Sequence, residues 1–181
     1  MSTDRLPPIP PEQWTEAQRA TAEAMIAGPR GAIVPPFVPL LRSPELAGHV
    51  QQVGAYLRYR SALGQRLTEL AILVVAAHYA QPVEWAIHSA IAARQGVAPA
   101  TIAAIERRER PAAMPDDEAL VHDFCVELLD SRGHVGDALW QRAIERFGEQ
   151  AVVDLVATCG YYGLLALVMN AARTPVPSPN T

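Results

Sequence analysis

Two runs in this chain are apolar on almost every helical face, and they restrict its fold more than any other feature. RLTELAILVVAAHYA (66–80) carries Glu69 alone between Arg66 and His78, and AVVDLVATCGYYGLLALVMNAA (151–172) carries Asp154 alone. A helix apolar all round must be enclosed by other elements. A single domain of 181 residues can hardly enclose both. The surplus predicts a homo-oligomer. The second run is long enough to invite a membrane reading. Asp154, Gly160, Gly163 and Asn170 within it, and the lack of a flanking aromatic belt, argue for a buried core helix or a subunit interface instead. No membrane partner is expected.

The rest of the pattern is helical as well. Strand alternation is missing, and Ala, Leu, Glu, Gln and Arg fill the periodic segments. Helices are predicted over 12–28, 43–60, 66–80, 82–95, 99–108, 119–133, 137–148 and 149–172. Ser43 before Pro44 reads as a cap followed by a first-turn proline, as does Gln81 before Pro82. Gly96 suits the position just past a helix end. GPRGAIVPPFVPLLR (28–42) is excluded from helix by its prolines. The result is an all-α domain of about eight helices over 12–174, with a proline-rich arm at 1–11 and a loose tail at 175–181.

Half of the residues are hydrophobic, the net charge is −4, and no basic run occurs, which excludes nucleic acid as a partner. MSTDRLPPIPPEQW at the start lacks the apolar segment of a signal peptide. Cys125 and Cys159 lie far apart, each in an apolar helical pattern, and read as buried thiols in a reducing compartment. The expected location is the cytoplasm.

The chemistry-bearing residues concentrate in QPVEWAIHSAIAARQG (81–96), where Glu84 and His88 stand four apart on one helical face. A carboxylate one turn before a histidine holds the ring and raises its pKa, which suits proton transfer. The plainer alternative has Glu84 at the third helical position, reaching back to the Gln81 N–H as a cap. Glu69, flanked by apolar residues, is either a burial-perturbed carboxylate or an acid favoured by a helix N-terminus. Tyr161 and Tyr162, between Gly160 and Gly163, read as a pocket wall or as helix packing. Trp85 joins that wall. Arg30 and Phe37, in the proline-broken loop, are placed to close over it. Arg30, or else Arg66, supplies a positive group for an acidic substrate. Nothing resembles a zinc motif, and neither metal nor cofactor is expected.

The run ELAILVVAAHYAQPVEWAIHSAIAARQGV, with the EWxxH motif and the later GYYGLL, resembles the carboxymuconolactone decarboxylase family, which includes the alkylhydroperoxidase D-like proteins. The likeness extends over about residues 12–177. It implies an all-α fold around a helical hairpin, assembled as an oligomer. The peroxidase branch carries a CxxC pair, a His four residues after it, and a Glu twelve residues before its first Cys. Glu69 and His88 match the Glu and His, but Gln81 and Glu84 stand where both cysteines belong. A dithiol peroxidase cannot work without them. The decarboxylase branch carries the Glu four residues before the His, matched by Glu84 and His88. Its last-helix His falls at Ala157 here, while Tyr161 and Gly163 match its Tyr-x-Gly. The resemblance therefore implies a decarboxylase-like acid–base enzyme on a small organic acid or lactone, with His88 as general acid held by Glu84 and oriented by Glu69. A catalytically degenerate binding protein on the same scaffold is the alternative, and a peroxidase the third and least favoured.

Overall fold

In the computed structural model, which describes residues 4–28 and 31–177, both apolar runs become long helices packed against each other. The described elements are a 3-10 turn at Pro11–Gln13 and nine α-helices: α1 Glu16–Ala27, α2 Phe37–Leu40, α3 Pro44–Tyr59, α4 Gln65–His78, α5 Pro82–Arg94, α6 Pro99–Glu106, α7 Asp116–Asp130, α8 Asp137–Phe147 and α9 Glu149–Ala172. The described residues contain no strand. The first three residues of the arm and residues 178–181 of the tail lie outside the described set.

α4 is the centre. Every residue from Leu67 to Ala76 is buried, and α3, α5, α6, α7 and α9 pack around it. Each fully buried leucine there contributes roughly 1.5–3 kcal/mol of transfer free energy. α5 folds back on α4 as a hairpin. Its start is built by Gln81, whose side-chain oxygen accepts the Val83 N–H at 2.6 Å and whose amide donates to Asn170 Oδ1 on α9 at 2.7 Å. Its end is built by Gly96 at φ +95°, where a side chain would be strained.

Three departures from the sequence expectation have a local cause. α1 starts at Glu16, because Thr15 and Gln18 exchange hydrogen bonds as a capping box. A one-turn helix, α2, forms inside the proline-rich segment. Its Pro39 sits in the first turn, where the missing N–H has no intrahelical partner to lose. α7 begins at Asp116, three residues early, with Asp116, Asp117 and Glu118 in the first turn where the helix dipole favours acids. Ser43 precedes Pro44 as predicted but makes no side-chain cap.

α9 is long and apolar enough to cross a membrane by composition alone. Its charge is used inside the protein. Asp154 is buried, accepts the Ala62 N–H at 2.8 Å and the Tyr56 hydroxyl at 3.1 Å, and so pins the α3–α4 connection. The arm is strapped down too: the Arg5 N–H donates to the Ala172 carbonyl at 2.8 Å, and Arg42 donates to the Pro7 carbonyl at 2.6 Å.

Candidate active site

The α4–α5 hairpin brings Glu69 opposite His88. His88 Nδ1 lies 2.6 Å from Glu69 Oε2, and its Nε2 lies 3.2 Å from Glu84 Oε2. All three side chains are buried, with His88 only 3% exposed. Glu84 therefore does not cap α5; the Gln81 N–H is taken by the Ala76 carbonyl at 2.8 Å. Glu69 is not held by the helix end either, since its oxygens face His88 and Arg58 Nη2, the latter at 4.0 Å.

Burial pulls the His88 pKa down, but the hydrogen bonds and charges of Glu69 and Glu84 outweigh it, leaving the ring above its ordinary value of 6.5. Once protonated, the ring has an N–H to donate to each carboxylate. Arg58 is the second cation, so two positive groups face two carboxylates. Tyr162 stacks edge-on against His88 with centroids 5.2 Å apart. Burial, with a smaller push from Glu84 and Glu69 against the pull of Arg58, holds its phenol well above the ordinary range, so it stays protonated.

Two cavities meet this cluster, one at Glu84 and His88 and the other at Glu69, and Arg58 lines both. One, of about 40 Å³, is bounded by Glu84, His88, Tyr162, Leu165 and Phe37. It has room for about one or two waters. The other, of about 230 Å³, is bounded by Glu69, Arg58, Arg94, Gln65, Gln95 and Ile91. Glu84 Oε1 and Arg58 Nε are buried with no hydrogen-bond partner among the described residues. A larger cavity of about 420 Å³, between α4, α6 and α7, shares no residue with the cluster.

The structure thus brings together Glu69, Glu84, His88 and Tyr162, with Phe37 from the proline-rich segment closing one side. Tyr161 stacks on Tyr162 at 5.2 Å and lines neither cavity. Trp85 points elsewhere and packs on the core. Arg30 lies outside the described residues. Arg66 is unavailable, held by Asp117 at 2.6 Å and by Glu118. The cation that the sequence reading missed is Arg58. Among the described residues, no group of three His, Cys, Asp or Glu side chains is arranged to hold a metal ion.

The thiols lie apart from this chemistry. Cys125 and Cys159 are buried, unbonded and 3.5 Å from each other between α7 and α9. The contact with Cys159 and burial together push the Cys125 thiol well above its ordinary value, which suppresses the reactive thiolate. Ala157, where the decarboxylase branch has a histidine, lines an apolar groove beside Trp140 and Val153 and neither cavity of the cluster.

Residues 44–121 match the carboxymuconolactone decarboxylase family. That span holds Arg58, Glu69, Glu84 and His88. Among solved structures, an uncharacterised peroxidase-related protein from Ralstonia eutropha JMP134, described as an alkylhydroperoxidase AhpD core, superposes with a TM-score of 0.81 at 16% identity. The alignment covers 98% of this chain and 94% of that one. At that identity the likeness is one of fold, and it spans nearly the whole chain. No curated protein matches the sequence.

Proposed function

We propose that this chain, which is similar to the carboxymuconolactone decarboxylase family over residues 44–121, is a member of that superfamily and a non-redox acid–base enzyme, of decarboxylase or lyase type, acting on a small organic acid or lactone. The observation that carries this reading is the Glu69–His88–Glu84 bridge between two cavities. The geometry changes the part expected of His88. With both ring nitrogens occupied, the ring is a relay, and the group that meets the substrate is a carboxylate.

The 230 Å³ cavity is the substrate side, because Arg58 and Arg94 line it and suit an anionic molecule. Loss of carbon dioxide from a bound carboxylate breaks one carbon–carbon bond and leaves its electron pair as an enolate. His88 passes its proton through Glu69 to that carbon, Glu84 relays a replacement proton to His88 from water in the small cavity, and the hydroxide left behind joins the carbon dioxide as bicarbonate. Arg58 stabilises the developing oxyanion. The two cysteines take no part, and with Gln81 and Glu84 at the CxxC positions a peroxidase reading has no nucleophile. Two neighbouring thiols left unbonded suit a cytoplasmic setting.

A panel of carboxylated lactones and β-keto acids, followed by carbon dioxide release and by NMR of the products, tests this. At least one acid should turn over. Arg58→Ala should then raise KM about tenfold or more, the size of one lost charge-assisted hydrogen bond. One observation favours a second reading, a degenerate binding protein: no N–H of the His88 ring is left to face a ligand. Saturable binding of an acid from the panel with no turnover would establish that reading and overturn the first.

A further inference from the structure

We propose that α9 pairs with α9 of a second copy of this chain, antiparallel about a two-fold axis at Gly160. The proposal starts from what α9 leaves uncovered. Val153 is 60% exposed and Leu167 58%, and Leu164, Ala157 and Gly160 are exposed between them. These positions recur every three or four residues and so form one straight stripe. Between Glu149 and Arg173, which stand exposed at the two ends, the one charge is Asp154, which faces inward.

The two halves of the stripe differ in shape. Its N-terminal half is a groove of about 520 Å³, in which Val153, Val156 and Ala157 meet Trp140 of α8, Leu128 of α7 and Val135. Its C-terminal half presents Leu164 and Leu167 as projections. At about 1.5 Å per residue, the centre of the groove and the centre of the projections each lie about 8 Å from Gly160, on opposite sides. A two-fold axis at Gly160 therefore seats the projections of each copy in the groove of the other, twice over. That is the self-complementarity an isologous contact requires. Gly160 suits the crossing point, since a Cβ there would meet nothing within its own chain and its absence lets two backbones approach. Gly163 has a different task, turned inward against the ring of Tyr79.

Charge selects the same arrangement. Antiparallel pairing sets exposed Glu149 of one copy near exposed Arg173 of the other at both ends, whereas parallel pairing sets Glu149 against Glu149. A membrane is the poorer occupant, because the other face of α9 is locked to α3, α4, α7 and α8.

Light scattering on the full chain at micromolar concentration tests the pairing. The wild type should contain an even number of copies, and Leu167→Glu should halve the mass with an unchanged circular dichroism spectrum. Glu149→Arg should weaken association about tenfold, and adding Arg173→Glu should restore it. Gly160→Cys, oxidised with diamide, should give a disulfide-linked dimer on a non-reducing gel. A monomeric wild type, a mass unaltered by Leu167→Glu, or a dimer that Gly160→Cys fails to link would each overturn the proposal. A monomer that floats with phosphatidylglycerol vesicles would overturn it in favour of a membrane.

Discussion

Exchanging His88 for glutamine should lower turnover of any acid the panel identifies by at least about 100-fold, since a positioned proton-transfer group contributes roughly 10²–10⁴. Glutamine fits the space and its amide still donates to one carboxylate, so the chain should fold. What it cannot do is accept a proton on one side and release it on the other. His88 touches Glu69 at 2.6 Å and Glu84 at 3.2 Å, and among the described residues no other side chain joins the two carboxylates. Steady-state kinetics with the substrate saturating should show the loss in kcat, with KM little changed, because Arg58 and not His88 holds the anion. Full activity in His88→Gln would remove the relay from the mechanism.

Removing the ring altogether should have the largest effect on stability. His88→Ala leaves Glu69 and Glu84 buried, at 5% and 2% exposure, without the cation between them. Breaking a buried ion pair from one side typically costs about 3–5 kcal/mol, and glutamine should fall between alanine and the wild type. The effect depends on pH in a definite direction. The His88 pKa is raised in the folded state, so its stabilising contribution is complete below the unfolded value near 6.5 and disappears as the pH rises through the folded value. Urea unfolding of both proteins should therefore show a wide gap near about pH 6 that narrows in alkali, with the wild type losing stability and His88→Ala lacking that loss. A gap that widens with rising pH would mean the ring is held neutral.

Much of this site was legible in the sequence, for reasons of local geometry. Glu84 and His88 share a helix, and the four-residue spacing alone puts them on one face. Glu69 stood out as a charge in an apolar run, although its meeting with His88 depends on how α4 packs on α5. Arg58 was not legible. It sits in YLRYR with Arg60 two residues on, and only the packing of α3 on α4 decides which arginine turns inward. Trp85 failed for the opposite reason, since one residue along a helix turns the side chain about 100° away from Glu84. The short helix α2 was hidden by its prolines, which bar a helix interior but not a first turn. The excess of apolar surface was readable as a total, whereas its concentration in one stripe on α9 required the fold.

The central claim is a protonated His88 bridging two carboxylates, and nitrogen-15 NMR of the imidazole rings reads it directly without a known substrate. At pH 7 both His88 ring nitrogens should carry protons, and the ring should lose one only above the ordinary value of 6.5. A His88 ring with one bare nitrogen at pH 7, titrating at or below the ordinary value, would contradict the account.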